Sequence, residues 1–274
     1  DQAAGAVGNG VVREGVISAT IGTSGVVFAS CDEVRTDPRG RVHTFCHAVS
    51  GKWHIMGVML SAGGSLRWFR DNLGGPETQV GEMTGRDPYA FLDMEASRAQ
   101  PGCEGLIFLP YLTGERTPHS DPNARGVFFG LTIRHGKPHL VRSILEGVAY
   151  GMRDSLEIIK GLGVRIDQIR ASGGGARSSL WRQIQADVYG AELVTINVDE
   201  GPAFGAALLA GVGAKVYGSV EEACERTIAV TTCTEPIREN SKVYDEYYGV
   251  YRNLYKSLKG DFERVTGIIA KSQR

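Results

Sequence analysis

Several things are missing from this sequence. It has no G-x-x-x-x-G-K-[ST] loop, no H-E-x-x-H and none of the protein-kinase signature segments. Any phosphate it handles is therefore held by another arrangement. It has no run of 18 apolar residues, the length a helix needs to cross a bilayer, and no secretory leader pattern. It has no excess of one charge: 30 Lys and Arg stand against 31 Asp and Glu, a net charge of −1. No overall field steers it toward nucleic acid or an anionic membrane. Cysteine is sparse. Cys31, Cys46, Cys103, Cys224 and Cys233 are odd in number, widely spaced and form no C-x-x-C pair. That fits a reduced, cytoplasmic protein better than a disulfide framework, and the expectation is of neither nucleic acid nor membrane as partner.

What is present is a chain of 274 residues, enough for one large domain with a sizeable core. Its 37 glycines exceed the usual share of about 7%. They cluster at 5–25, 57–75, 173–175 and 201–213. Clustered glycine means tight turns, close backbone approach to a ligand, or loop-rich packing. The chain opens on Asp1 rather than Met, which sets the expectation that a segment precedes it.

The opening residues read as a helix, followed by strands over 16–21 and from 26 with Gly22-Thr23-Ser24-Gly25 turning between them. A strand is expected over 53–59 and a helix over 61–72, stopped by Gly74-Gly75-Pro76. Residues 76–103 read as short helices and loops, 106–109 as a buried strand, 113–125 as a long loop and 127–133 as a strand. Val141, Leu145, Val148, Met152 and Leu156 recur at helical spacing and predict a helix over 139–159. A strand over 168–171, a glycine turn at 173–175 and a helix capped by Ser178 or Ser179 follow. Then come a strand over 193–196 and a buried helix over 202–214. The tail from about 214 reads as solvated, with a Tyr-rich amphipathic helix over 241–258. Strands alternating with helices predict one α/β layered domain.

Three glycine segments are candidates for ligand binding. Gly22-Thr23-Ser24-Gly25 can aim several N–H groups at one anion, or can be an ordinary hairpin turn. Ser172-Gly173-Gly174-Gly175-Ala176-Arg177-Ser178-Ser179 follows a strand and opens a helix, a setting for a phosphate or a flat base. A dinucleotide fingerprint is the rival there, although Ser178 stands where its third glycine belongs. Asp187 and Glu192 lie at distances suited to a ribose partner. Ser61-Ala62-Gly63-Gly64-Ser65-Leu66-Arg67, taken alone, reads as capping and close helix packing. His43, Cys46 and His47 are metal-ligand types, but strand geometry sends 46 and 47 to opposite faces. They read as residues of a solvated strand edge, and no metal ligands are assigned.

Taken together, these stretches resemble the FGGY carbohydrate kinases, a branch of the actin-like ATPase superfamily. Gly126-Val127-Phe128-Phe129-Gly130-Leu131, seven further residues and then His139-Leu140-Val141-Arg142-Ser143-Ile144-Leu145-Glu146 are similar to that family's C-terminal signature. Asp1-Gln2-Ala3-Ala4-Gly5 resembles the segment with its catalytic base, Gly22-Thr23-Ser24-Gly25 its second phosphate loop, and residues 173–179 its adenosine loop. Residues 200–206 resemble the helix closing its nucleotide site. Tyr111-Leu112-Thr113-Gly114-Glu115-Arg116-Thr117-Pro118 and residues 53–70 look most like the xylulokinase branch.

The resemblance implies a ribonuclease-H-like, actin-like ATPase domain, a mixed sheet flanked by helices. It implies the C-terminal, nucleotide-binding half of an enzyme that uses ATP and Mg2+ to phosphorylate a sugar, for xylulose at C5. Asp1 would be the general base. Backbone N–H groups of Gly22, Thr23 and Ser24 would hold the transferring phosphate. Gly174, Gly175 and Ser178 would bind the adenosine, with Gly63 and Arg67 approaching the nucleotide. The implied partners are the sugar, the N-terminal half that carries most of the sugar site, and, as an open alternative, a second copy in a homodimer. This half alone would be inactive. Another FGGY kinase (gluconokinase, glycerol kinase, ribulokinase) and a non-catalytic actin-like nucleotide-binding module remain as alternatives.

Overall fold

The computed structural model describes residues 1–272. Helix α1 (Gln2–Gly8) leads into the hairpin β1 (Gly15–Ile21) and β2 (Gly25–Cys31), then β3 (His43–Cys46) and β4 (Trp53–Met59). Helices α2 (Gly63–Leu73), α3 (Gly75–Thr84) and α4 (Pro88–Ala96) follow, then the short ribbon β5 (Ile107–Leu109) and β6 (Val127–Phe129). The long helix α5 (Lys137–Gly161) precedes β7 (Ile166–Ser172), α6 (Ser179–Tyr189), β8 (Leu193–Ile196), α7 (Gly201–Gly213), α8 (Val220–Thr227), β9 (Val230–Thr234) and α9 (Arg238–Ser272).

Seven strands form one mixed sheet in the order β3-β4-β2-β1-β7-β8-β9. The centre of the sheet is β1, antiparallel to β2 and parallel to β7. Strand alternation gives this sheet its two coats. Ile17, Ala19 and Ile21 of β1 enter the large core with α5, α6 and α9. Val16 packs on the opposite face with Ala6 and Val11 beside α1, so Ser18 and Thr20 share that face. Helices α1, α7 and α8 meet there around Val7, Leu208 and Ala223. Among the described residues no helix is long and apolar enough to cross a membrane.

Several expectations change. The strand expected over 127–133 ends at Phe129, because Gly130 takes φ +89° and turns the chain off the ribbon, leaving Ile133 fully exposed. The helix at 202–214 exists but is not buried. Only Gly201, Gly205 and Leu208 of α7 are fully buried, with Phe204, Leu209 and Val212 half-buried beside them, since its small apolar residues meet α1 along a single stripe. The tail is neither solvated nor helical throughout. β9 extends the sheet on β8, and its Thr-rich sequence carries no apolar alternation that could announce it. The final helix is longer than 241–258 and brings Tyr244, Tyr248, Tyr251 and Tyr255 into the main core. His47 is buried rather than at a solvated edge. Its Nε2 meets the Val11 carbonyl at 2.9 Å and its Nδ1 accepts the Val49 N–H at 3.0 Å, so both ring nitrogens are engaged and neither is open to a metal.

Candidate functional site

The β1–β2 turn is the hub of the site. The N-terminus of α2 donates into it: Gly63 N–H to the Gly22 carbonyl at 2.9 Å, and Ala62 and Gly64 N–H to the Thr23 carbonyl at 3.0 Å each. These bonds satisfy helix-end donors for which Ala62 supplies no side-chain cap. They also orient the turn. A trans peptide holds its C=O and the following N–H in opposite directions. Carbonyls 22 and 23 point at α2, so the N–H groups of Thr23 and Ser24 point away from it. Two successive N–H groups aimed the same way make an anion nest. The Gly22 N–H is not part of it, because it donates to the Ser24 carbonyl at 2.9 Å. Of the three N–H groups expected to face a phosphate, that of Gly22 is therefore already engaged.

Glycine lets two other segments, the start of α2 and the 173–175 loop, converge on this turn. A β-carbon on Gly63 would overlap the Gly22 carbonyl, and one on Gly175 would stand 2.6 Å from the Ile21 β-carbon. Gly173 adopts φ +77°, and a β-carbon there would stand 2.6 Å from the Ile21 carbonyl oxygen. Close packing on the turn accounts for these glycines. Gly174 has only one atom within 4 Å of where its β-carbon would be, at 3.9 Å, and stays open to the cleft.

Two cavities flank the turn, and Gly22 lines both. The larger, about 430 Å³, collects Thr23, Gly63, Arg67, Gly174, Gly175 and Ser178 from three separate stretches of sequence. Ser178 caps α6 by accepting the Trp181 N–H at 3.0 Å, and the Trp181 indole donates to the Leu145 carbonyl at 3.1 Å, fixing α6 on α5. The smaller cavity, about 220 Å³, lies on the α1 face of the sheet and is lined by Asp1, Ser18, Thr20, Ser24 and Ser172, with Asp199 and Glu200 at its rim. Thr20 and Ser172 tie β1 to β7 there through hydroxyls 2.7 Å apart. Asp1 sits at the N-cap of α1 and makes no side-chain capping bond, so its carboxylate is not committed to the helix. All nine candidate residues thus border these two cavities.

Sequence reasoning expected short helices over 76–103 but assigned none of them to the site, and so missed the part that α4 plays. Tyr89, Ala90 and Asp93 line the larger cavity, and Asp87 caps α4 at the cavity's edge by accepting the Tyr89 N–H at 3.0 Å. The signal was present as Asp87-Pro88, a cap followed by proline at the first helical position. Burial raises the Asp93 carboxyl above its ordinary value, and the neighbouring Ser178 hydroxyl pulls it down.

Residues 17–214 match the model of the FGGY family of carbohydrate kinases, C-terminal domain. The chain is 37% identical over 259 residues to a xylulose kinase of Staphylococcus epidermidis, covering 94% of this chain and 50% of that protein. It is 36% identical over 263 residues to a gluconokinase of Bacillus subtilis, covering 94% and 50%. The crystal structure of a "xyloylose kinase" from Brucella ovis superposes with a TM-score of 0.83 at 34% identity, covering 95% of this chain and 51% of that one. The chain spans about half the length of the curated relatives it matches. Its sheet and flanking helices have the actin-like ATPase fold of these neighbours. The chain belongs to the FGGY family of carbohydrate kinases, whose C-terminal domain it contains.

Proposed function

We propose that this chain is the nucleotide-binding part of an ATP-dependent sugar kinase that acts on D-xylulose. The observation that carries the reading is the pair of cavities meeting at one anion-binding turn, with a glycine-lined pocket on one side and an uncommitted carboxylate on the other. Phosphoryl transfer asks mainly for positioning and charge stabilisation. Thr23 and Ser24 N–H would hold the transferring phosphoryl group. Gly63, Arg67, Gly174, Gly175 and Ser178 would border the nucleotide. Asp1 would accept the proton of the attacking sugar hydroxyl. The free cysteines, three of them buried, suit a cytoplasmic enzyme.

Mg2+ is the expected companion of ATP. Among the described residues, one acidic group is close enough to share an ion, Glu192, Glu235 and Cys233, and it borders neither cavity. Among the described residues no three ligand side chains come together in the cleft, so Mg2+ would be held mainly by the ATP phosphates and water, with at most one or two carboxylates of the smaller cavity, which Asp1, Asp199 and Glu200 line.

Since the chain spans half of its relatives, the sugar site and the other wall of the cleft fall to an N-terminal half, and the chain alone would not turn over sugar. The Bacillus subtilis relative makes gluconate the second candidate substrate. ATP-dependent phosphorylation by the full-length protein, measured on D-xylulose, gluconate, glycerol and ribulose, tests the reading. D-xylulose should give the highest kcat/KM, and absence of ATP turnover with every sugar would remove the kinase assignment.

A further inference from the structure

We propose that helix α4 selects the nucleoside, with the Asp93 carboxylate accepting a hydrogen bond from it and the Tyr89 ring forming the facing wall. The proposal rests on reading the larger cavity as the nucleotide site.

Residues 89 and 93 lie one turn apart on the same side of α4, with Ala90 beside them, and all three line the cavity. The neighbouring side of the helix is anchored, with Leu92 and Ala96 fully buried in the main core. The face presented to the cavity is therefore fixed. Arg70 covers Tyr89, its guanidinium carbon 4.9 Å from the ring centroid. The ring is thereby held in place beside the cavity, where a flat base can pack against it.

Asp93 is the acceptor without a structural duty. Asp87 is occupied in capping α4. The Ser178 oxygen already accepts the Trp181 N–H, so that hydroxyl can offer Asp93 only its single hydrogen. A half-buried carboxylate has room for more than one donor, and Asp93 lines the cavity from which a second donor can come. A polyphosphate would be repelled by it, whereas the uncharged part of the nucleotide brings donors: the exocyclic amine of adenine and the ribose hydroxyls. Asp93 would accept from one of these.

The test measures dissociation constants with the full-length protein and its Asp93→Ala variant for ATP, 2′-deoxy-ATP, 3′-deoxy-ATP and purine riboside triphosphate, which lacks the amine. In the unmodified protein one analogue should bind about 10-fold more weakly than ATP. Asp93→Ala, which removes the acceptor, should weaken ATP by a similar factor and erase that analogue's penalty. The analogue that loses its penalty names the group held: the amine, or one ribose hydroxyl. Unchanged penalties for every analogue in the variant would overturn the proposal. ATP binding unaffected by the substitution would also overturn it while leaving the nucleotide site intact. Failure of the unmodified protein to bind ATP would instead overturn the site reading beneath it. Matched thermal unfolding of the two proteins excludes a folding defect as the cause, and Tyr89→Leu should weaken all four nucleotides together.

Discussion

Gly8 of α1 and Gly205 of α7 meet backbone to backbone. A β-carbon on Gly8 would stand 2.8 Å from the Gly205 amide nitrogen, and one on Gly205 would stand 2.7 Å from the Gly8 amide nitrogen. Neither helix can retreat cheaply, because Val7 and Leu208 are buried in the same cluster. This contact fixes the axis of α1, and Asp1 lies at the end of that axis. Gly205→Ala gains about 1 kcal/mol of helix propensity, but it meets backbone that no rotamer change can relieve. The overlap should win, at a net loss of about 1–3 kcal/mol of stability. Gly213→Ala in the same helix meets nothing within 4 Å and should be neutral or slightly stabilising. Denaturant unfolding of the two variants checks this, and equal stabilities would contradict it.

The turn makes a second prediction. A β-carbon on Gly63 would overlap the Gly22 carbonyl, whose orientation directs the Thr23 N–H away from α2. Gly63→Ala should rotate that peptide and weaken ATP binding about 10-fold or more, with the sugar KM little changed. Calorimetric titration of ATP reads it. Removing the Thr23 side chain, which supplies none of these backbone bonds, should have a much smaller effect.

Much of this arrangement was legible in the sequence, for identifiable reasons. Gly22-Thr23-Ser24 joins two strands of clear β pattern, so the hub turn could be placed to within one residue, Gly25 being the first residue of β2. Helix α5 announced itself by its apolar stripe and differs from the expected span by two residues at each end. What could not be read depends on tertiary context. Strand β9 is polar and becomes a strand by pairing with β8. Helix α4 has an apolar pattern too mixed to show that one face points into a cavity. The exposure of α7 follows from which helix it meets, not from its composition. The Gly22 N–H looked like a phosphate donor until its bond to Ser24 was visible.

The large core contains a buried charge pair. Glu146 accepts from Arg142 Nε at 2.7 Å, from the Tyr244 hydroxyl at 2.9 Å and from the Gly102 N–H at 3.1 Å. Arg142 also donates to the Ala99 carbonyl at 3.0 Å and to Tyr244 at 2.9 Å. Burial pushes the Glu146 carboxyl up, and Arg142 pulls it back down. Glu146→Gln leaves the guanidinium without its counter-charge and should cost about 3–5 kcal/mol. Tyr244→Phe removes one partner from each member and should cost less, about 1–3 kcal/mol. Chemical denaturation orders the two, and a milder Glu146→Gln would contradict this account of the network.

Glu115 gives a pH prediction. Its Oε1 accepts the Leu60 N–H at 3.0 Å and the Arg116 N–H at 2.7 Å, while Oε2 is buried without a partner. Burial pushes the carboxyl from its ordinary 4.5 up to about 8. The folded protein keeps this proton up to about pH 8, and the unfolded chain releases it near 4.5, so the group's contribution to stability falls as pH rises between those values. His54 and His119, each pushed from 6.5 down to about 4 by burial, act in the opposite sense below pH 6.5. The window free of their effect is therefore pH 6.5 to 8. The wild-type protein should lose stability relative to Glu115→Gln across that window, at no more than about 1.4 kcal/mol per pH unit. Parallel curves for the two proteins would contradict the assignment.

The central claim is that this chain brings the ATP-binding turn and the general base of a sugar kinase to one cleft. The most direct measurement is the rate of ATP-dependent D-xylulose phosphorylation by the full-length protein and its Asp1→Asn variant, with the dissociation constant for ATP measured on both. The account predicts that kcat falls by about 100-fold or more in the variant, while its affinity for ATP stays within about twofold because Asp1 lies in the smaller cavity, outside the nucleotide pocket. Turnover by Asp1→Asn within a few-fold of the unmodified protein would contradict it.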